Sequence, residues 1–268
     1  MYDVSCGLNP SLQYQIDSNF LPDGWRSYMA RAVKDKFGKP VINAGNYRDP
    51  EVVEKVLESG DVDIVGMGRG LIAEPNWVSK VQNGEEEILR KCISCNVGCA
   101  GNRIGVNRPI RCTVNPNVPD GEEYKKYKIT KPCNVVVIGG GTAGMEAACT
   151  AAEVGCTTFL LEKKPYLGGL AAEISKIPDK KRLADFPNYM IHRTNKLKNL
   201  FAFTNTDANV DFIKNLKPNI IVNATGSSPL LPPIPGLHEN IDKEGGKVAS
   251  ILNMINHVND YPTDLTGK

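Results

Sequence analysis

The sequence predicts an α/β protein with two strand–helix regions, each built on a parallel sheet. Short apolar strands alternate with amphipathic helices over residues 1–90, and the alternation returns over residues 133–268. Between them lie a segment rich in Cys, Asn, Gly and Arg, residues 91–117, and a charged, proline-bounded linker, residues 118–132. Strands and helices that alternate with short turns are typical of parallel sheets covered by helices.

In the first region, "GWRSYMARAVKDKFG" predicts a helix that ends at Gly38. Its predicted apolar face consists of Trp25, Tyr28, Met29, Ala32 and Val33. "KPVINAG" predicts a buried strand, and "VDIVGMGRG" predicts the next strand with its loop. Between them, Asp49 is the expected N-cap of a helix that starts at Pro50 and closes on Gly60.

The second region predicts a strand, a glycine turn, a helix and a strand from "CNVVVIGGGTAGMEAACTAAEVGCTTFLLEKK". A further strand at "NLFAF", a helix near "NVDFIKNL" and a buried strand at "PNIIVNATG" follow. The region is therefore again α/β.

Composition excludes several classes of partner. The 32 basic and 30 acidic residues give a net charge of only +2, and both signs are interspersed, which argues against nucleic acid or an anionic membrane. No apolar run approaches the roughly 20 residues of a membrane span. The N-terminus lacks the basic and apolar regions of a secretory signal, so we expect a cytoplasmic protein with reduced cysteines.

The glycine turn predicts a nucleotide site. Gly139, Gly141 and Gly144 have G-x-G-x-x-G spacing between a β-branched strand and an Ala-rich helix. Glycines let backbone N–H groups and the helix N-terminus face a pyrophosphate. Glu162, which ends the next strand, suits a ribose diol. A tight strand–helix turn in another kind of α/β protein is the alternative.

The segments after this turn favour FAD over NAD. "KKPYLGGLAAE" carries the pair Gly168-Gly169, and "NATGSSPLLPPIPG" closes the region. The combination resembles the nucleotide domain of flavin-disulfide reductases, in which the first glycine turn holds the adenosine half of FAD. In that resemblance, Ala224, Thr225 and Gly226 mark the return of the chain to the flavin domain.

Four of the eight cysteines have the spacing C-x2-C-x3-C-x12-C, and they are Cys92, Cys95, Cys99 and Cys112. Four thiolates wrapped in this way suit a 4Fe–4S cluster, whose irons face different sides of a compact body. Zinc also takes four thiolates, but structural zinc favours paired C-x2-C knuckles, and only one is present here. Unrelated thiols are the third alternative. The other cysteines, Cys6, Cys133, Cys149 and Cys156, are interpreted as small core residues or as bystanders without a role in the cluster.

Two loops of the first region suit a phosphate. "VINAGNYRDPE" and "VGMGRGLIAEP" each end a strand with glycine, as the loops after the last strands of a (β/α)8 barrel do at phosphate sites. Gly45, Asn46, Gly68 and Arg69 would supply backbone donors and a guanidinium to the phosphate of FMN. Plain turn glycines beside a solvated Arg69 are the alternative.

Seven motifs in order along the chain resemble the iron–sulfur flavoenzymes related to old yellow enzyme, a group of NADH:flavin oxidoreductases and 2,4-dienoyl-CoA reductases. They are "AGN", "GMGR", "CISCNVGC", "CTVNP", "VIGGGTAGMEAA", "LLEKKPYLGG" and "NATGSSP". The resemblance implies the C-terminal part of an FMN-binding TIM barrel over residues 1–90 and a 4Fe–4S loop over 91–117. After the linker it implies an incomplete Rossmann-like FAD/NAD(P)-binding domain over 133–268.

By the same resemblance, NAD(P)H feeds FAD, and the cluster relays electrons to FMN, which reduces an activated C=C bond of an enoate or enoyl-CoA or oxidises an amine. The implied cluster ligands are Cys92, Cys95, Cys99 and Cys112. The implied FMN contacts are Gly45, Asn46, Gly68 and Arg69. The implied FAD contacts are Gly139, Gly141, Ala143, Gly144, Glu162, Gly169 and Lys180.

The sequence also departs from the family pattern. Asn46 stands where a second glycine is common, and Leu170 stands where Gln often follows the double glycine. The chain begins near the expected sixth barrel strand, at "YDVSCG", and ends at "DLTGK", where a second glycine turn is expected. We therefore expect a fragment and predict no catalytic residue. A binding or electron-transfer module of a split complex, with another chain supplying the barrel, and a zinc-stabilised nucleotide-binding protein are the alternatives.

Overall fold

The computed structural model describes residues 1–118 and 127–260. The chain forms two compact units, Met1–Lys125 and Lys126–Lys268, and each contains a parallel sheet with helices. The predicted α/β class is therefore confirmed. Most of the predicted linker, 118–132, and the C-terminal "DLTGK" lie outside the described residues, and the barrel and Rossmann arrangements stay predictions.

The first unit has a three-stranded sheet with the order β1-β2-β3. Its strands are β1 (Tyr2–Val4), β2 (Val41–Asn43) and β3 (Ile64–Val65). Its helices are α1 (Leu12–Gln15), α2 (Ser27–Phe37), α3 (Pro50–Glu58), α4 (Arg69–Ala73) and α5 (Trp77–Gln82). A π-helical segment, Val97–Gly105, follows within the cysteine-rich region. Tyr2 pairs with Val41, and Asn43 pairs with Val65, so the three strands end at one edge of the sheet.

The apolar face predicted for α2 is wrong in part. Tyr28 is 61% exposed and Ala32 is also exposed, whereas Ala30 is fully buried and Val33 packs against the core. Trp25 precedes the helix and donates from Nε1 to Asp17 Oδ1 at 2.7 Å. The predicted apolar face consisted mainly of large side chains. The residue of α2 that is fully buried is the small Ala30, whose side chain lets the helix pack closely on the sheet.

The capping signals of α3 are confirmed. Asp49 has an extended backbone and its side chain accepts from the backbone N–H of Glu51 at 3.1 Å, while Pro50 is the first helical residue. Gly38 and Gly60, which follow α2 and α3, have φ values of 59° and 72°, a left-handed conformation that favours glycine.

The core of the first unit lies between the sheet and its helices. It contains Ala30, Val41, Tyr47, Val53, Val56, Val62, Trp77 and Leu89. Trp77 donates from Nε1 to the carbonyl of Arg48 at 3.1 Å, which attaches the loop after β2 to α5. The loop that follows β2 is therefore fixed by this hydrogen bond and by the packing of Tyr47 in the core.

The second unit has a four-stranded parallel sheet with the order β6-β5-β4-β7. Its strands are β4 (Asn134–Ile138), β5 (Thr157–Leu161), β6 (Leu200–Phe203) and β7 (Ile220–Asn223). Its helices are α6 (Thr142–Val154), α7 (Gly169–Ile174), α8 (Asp185–Lys196), α9 (Val210–Asn215), α10 (Leu237–Asn240) and α11 (Ile251–Asn256). The predicted strand, glycine turn, helix and strand are confirmed. None of the helices within residues 1–118 and 127–260 has both the length and the apolar character needed to cross a membrane.

The prediction that β7 is buried is wrong. Ile220 and Ile221 are 51% and 54% exposed, whereas Val136 and Val137 of β4 are fully buried. β7 is exposed because it lies at the edge of the sheet, whereas β4 lies inside it. The core beneath the central strands includes Met145, Leu160 and Met190 together with Cys149 and Cys156, so two of the cysteines assigned to core positions are confirmed there.

We expect Asp49→Ala to lower the free energy of unfolding by about 1–2 kcal/mol, because it removes the N-cap bond of α3 and the 2.6 Å ion pair with Lys91. Urea denaturation measures the change. Glu51→Ala is the matched control: Glu51 pairs with Lys55 in an exposed position, so its loss should cost less than about 0.5 kcal/mol. Equal losses for both variants would contradict the capping role.

Candidate functional site

The four residues predicted to hold a phosphate lie on one cavity of about 460 Å³ in the first unit, and they are Gly45, Asn46, Gly68 and Arg69. Parallel pairing of β2 and β3 explains this, because the carboxyl ends of parallel strands meet at the same edge. Asn46 has a φ of 60°, which Asn tolerates better than most residues. A Cβ built on Gly68 would meet no atom within 4 Å, so open space faces the backbone there.

Arg69 is held by polar partners on the cavity wall. Its Nη1 donates to the carbonyl of Asp17 and to Asn96 Oδ1, both at 2.5 Å, and its Nη2 lies 3.4 Å from Asp17 Oδ2. The alternative of a solvated Arg69 is not what the structure shows, since 19% of the side chain is exposed.

Sequence analysis missed two charged residues on this cavity, Asp17 and Arg26. Arg26 Nη2 donates to Asp17 Oδ2 at 2.6 Å, and both side chains are about 5% exposed. Within the described ranges, Arg26 Nε is the one buried side-chain nitrogen or oxygen that has no hydrogen-bond partner. Neither residue belongs to a sequence motif, and the helical pattern nearby indicates apolar positions only.

The four cysteines of the predicted cluster lie around one small cavity in the first unit. Cys92, Cys95, Cys99 and Cys112 all line it. Ser94 and Asn96 have φ values of 52° and 57°, and these left-handed residues wrap the chain between the thiols. The π-helical segment then carries Cys99, and the backbone bond from Arg111 to Gly98, at 2.7 Å, brings the segment before Cys112 back alongside.

Burial raises the pKa of the Cys92 and Cys112 thiols, and neighbouring thiols add to this effect. Backbone N–H groups oppose it, from Ser94 toward Cys92 and from Val114 and Asn115 toward Cys112. The donor set, four thiols with N–H donors on one cavity, fits an iron–sulfur cluster. Over the ranges that the structure describes, no group of three or more His, Cys, Asp or Glu residues is arranged to hold a metal ion, so the ligand assignment stays a prediction.

The second unit contains a cavity of about 720 Å³ at the carboxyl ends of β4, β5 and β7. Gly139, Gly141, Glu162 and Gly169, all predicted to bind FAD, line it. Thr225 and Gly226 line it from the loop after β7. Three further predicted residues do not: Ala143 is exposed on α6, Gly144 is buried, and Lys180 lies in the 3-10 turn Pro178–Ala184. Their roles as cofactor contacts stay predictions.

The three motif glycines serve two different needs. A Cβ on Gly139 would clash with the carbonyl of Ala224, and a Cβ on Gly144 would clash with the carbonyl of Gly139, so these two permit strand–helix packing. A Cβ on Gly141 would meet only Gly169 Cα, at 3.9 Å, so this glycine faces open space. Only Gly141 therefore leaves room for a ligand against the backbone.

Glu162 already engages the glycine turn. Its Oε2 accepts from the N–H of Gly140 at 2.5 Å, and its Oε1 accepts from the N–H of Lys164 at 2.7 Å. The carboxylate is thus fixed at the cavity wall beside the turn, in a position where hydroxyl groups of a ligand could reach it.

Sequence analysis also missed a buried carboxylate on this cavity, Glu173 of α7. Only 2% of the residue is exposed, and it accepts from Lys164 at 3.0 Å, from Lys176 at 2.6 Å and from the hydroxyl of Tyr166. Burial by itself would raise the pKa of Glu173, but the bonds from Lys176, Tyr166 and Lys164 lower it to about 2. Lys176 also donates to Asn256 at 2.8 Å, which joins α7 to α11.

Two family models match the chain. Residues 15–87 match the NADH:flavin oxidoreductase / NADH oxidase family, and residues 134–200 match the FAD dependent oxidoreductase family. The first match includes the loops after β2 and β3, and the second includes the glycine turn and Glu162.

The names of individual relatives also describe oxidoreductases. The chain is 39% identical over 236 residues to an NADH oxidase of Thermoanaerobacter brockii, which covers 87% of this chain and 36% of that protein. It is 35% identical over 192 residues to a cinnamate reductase of Clostridium sporogenes, covering 71% of this chain and 28% of the relative. A solved complex of a 2-naphthoyl-CoA reductase matches with a TM-score of 0.84 and 30% identity, over 89% of this chain and 36% of that one. The chain thus spans about a third of the length of these proteins.

The division of roles among the glycines predicts effects of very different size for two similar substitutions. Gly144→Ala should lower the free energy of unfolding by about 3 kcal/mol, because its Cβ clashes with the Gly139 carbonyl. Gly141→Ala should change it by less than about 0.5 kcal/mol, since its φ of −73° suits any residue. Denaturant unfolding compares the two, and similar losses would contradict the assignment.

The depressed pKa of Glu173 predicts a pH dependence of stability. A carboxylate whose folded pKa lies below its usual 4.5 stabilises the fold above that pH, and its contribution is lost as the pH falls toward about 2. Glu173→Gln should cost about 1–3 kcal/mol at pH 7 and flatten the stability curve between these pH values. The exposed control Glu239→Gln should leave the curve unchanged. Parallel curves for wild type and Glu173→Gln would refute the prediction.

Proposed function

We propose that this chain, which belongs to the NADH:flavin oxidoreductase family, takes part in the reduction of an activated C=C bond of an enoate or enoyl-CoA by NAD(P)H. The relatives are flavin-dependent oxidoreductases, and two are named for cinnamate and 2-naphthoyl-CoA, both conjugated acyl compounds. Bound FMN, FAD and a 4Fe–4S cluster would supply hydride and single-electron transfer, which amino-acid side chains do not.

One observation carries the proposal. The cavity lined by the loops after β2 and β3 and the cavity lined by the four cysteines share Arg69, Ile72, Cys92 and Cys99. A flavin site and a thiolate site that share a wall are the arrangement expected where electrons move between two carriers. A protein whose cysteines only stabilised the fold would not need these two cavities to share a wall.

In this proposal, β1, β2 and β3 belong to the C-terminal part of a (β/α)8 barrel. Glycine-containing loops after β2 and β3 support the assignment, because phosphate sites of such barrels form after the last strands. The backbone around Gly68 would face the FMN phosphate, and Arg69 would contribute its guanidinium.

The second unit would hold FAD in a Rossmann-like manner. The open space at Gly141 accommodates a pyrophosphate against the start of α6, which is 13 residues long. Glu162 would accept hydrogen bonds from the ribose hydroxyls at the wall of the same cavity. Leu170, where relatives often have Gln, lines this cavity with an apolar side chain.

An iron–sulfur cluster is favoured over zinc by the spacing of the cysteines along the chain. Structural zinc favours paired C-x2-C knuckles, and only one is present here. Four cysteines that line one cavity suit the wrap that a cluster with four corner irons needs. We also propose that a further chain or segment supplies the rest of the barrel, and that neither nucleic acid nor membrane is a partner.

The test is anaerobic reconstitution with iron and sulfide, followed by metal, sulfide and flavin analysis. Wild type should hold about four irons and four sulfides per chain, with broad visible absorption, and should retain FAD. Cys99→Ser should lose most of the iron and sulfide and keep FAD, because the FAD residues lie in the other unit. Cys6→Ser, which changes a thiol bonded to the Tyr14 carbonyl, is the matched control. Zinc without sulfide in the wild type would refute the proposal.

A further inference from the structure

We propose that Arg26 is a second phosphate-binding guanidinium in the 460 Å³ cavity of the first unit, and that it makes this site prefer FMN to unphosphorylated riboflavin. The inference rests on the proposed function, because it concerns the flavin site named there. Neither the sequence motifs nor the family matches assign a role to Arg26.

Arg26 lies beside the loop expected to meet the phosphate. A Cβ built on Gly45 would be 3.5 Å from Arg26 Cβ, and both residues line the cavity. The carbonyl of Gly45 accepts from the N–H of Gly24 at 2.8 Å, which joins this loop to the segment that precedes Arg26. The chain at Arg26 is therefore held beside the loop that carries Asn46, and Asp17 fixes the guanidinium.

The hydrogen bonding of Arg26 is incomplete. Its Nη2 donates to Asp17, but its Nε is buried and has no partner among residues 1–118 and 127–260. A buried charged donor that lacks an acceptor is costly, and folded proteins rarely keep one without a reason. An anionic oxygen in the cavity would supply the missing acceptor.

The charge of the cavity also favours a phosphate. Its lining includes four arginines, Arg26, Arg48, Arg69 and Arg103, and one carboxylate, Asp17. Arg48 is neutralised by Asp23 at 3.0 Å. Arg26 and Arg69 share the single carboxylate of Asp17, so their two charges are only half compensated. A phosphate monoester carries up to two negative charges and accepts from guanidinium groups in a forked geometry.

Asp17 would act as a positioning residue in this arrangement. Its Oδ2 accepts from Arg26 at 2.6 Å and lies 3.4 Å from Arg69 Nη2, so one carboxylate orients both guanidinium groups. With Nη2 of Arg26 held by Asp17, the unpartnered Nε of Arg26 would donate to the phosphate.

The test compares the dissociation constants of FMN and riboflavin for the full chain, measured by titration of flavin fluorescence. Wild type should prefer FMN, and inorganic phosphate should compete with FMN but not with riboflavin. Arg26→Met should weaken FMN by roughly 10- to 100-fold, as expected for the loss of one charged hydrogen-bonding group, and leave riboflavin unchanged. Arg26→Lys should retain part of the preference. Arg31→Met, an exposed arginine of α2 paired with Asp35, is the matched control and should behave as wild type.

Circular dichroism and thermal unfolding verify that each variant is folded. If Arg26→Met does not fold, the double variant Asp17→Asn with Arg26→Met is compared with Asp17→Asn alone. Asp17 also pairs with Arg69, so this comparison isolates the contribution of Arg26. An FMN-to-riboflavin ratio that stays at the wild-type value in the folded variant would overturn the role of Arg26 alone. A wild-type chain that binds neither flavin would overturn the proposed flavin site and this inference with it.

Discussion

Parallel strand pairing is the constraint on which the rest of the molecule depends. In the first unit it carries the loops after β2 and β3 to one edge, and in the second it does the same for the loops after β4, β5 and β7. Each edge opens into a cavity lined by those loops. The buried parts of the strands are mostly apolar and hold the loops in place.

Both cavities also use one buried carboxylate to hold two cations. Asp17 engages Arg26 and Arg69 in the first unit, and Glu173 engages Lys164 and Lys176 in the second. Long basic side chains lose much conformational freedom when they are ordered, and a buried partner fixes them before any ligand arrives. Positive charge is thereby placed on a cavity wall at a defined position, which suits sites that receive phosphorylated molecules.

Local sequence patterns predicted the helices, strands and turns well, but they did not predict which strands are exposed or which charged residues are buried. The cap formed by Asp49 and Pro50 and the turn at Gly139, whose φ is 105°, were predictable because backbone geometry favours those residue types. Exposure of β7 was not, since an apolar strand gives no sign of whether it lies at the centre or the edge of a sheet. Asp17, Arg26 and Glu173 were missed because the burial of a charge depends on tertiary packing, which no spacing pattern records, even where the partners are near in sequence. The spacing of the four cysteines predicted thiols that lie together, and all four line one cavity.

The shared wall between the two cavities of the first unit has an evolutionary consequence. Arg69, Ile72, Cys92 and Cys99 each face both spaces, so a substitution at any of them alters two environments at once. Neighbouring positions of this kind have non-additive effects. Drift at one of the four would then be tolerated only alongside a change at another, and lineages that diverge here should exchange these residues as a set rather than singly.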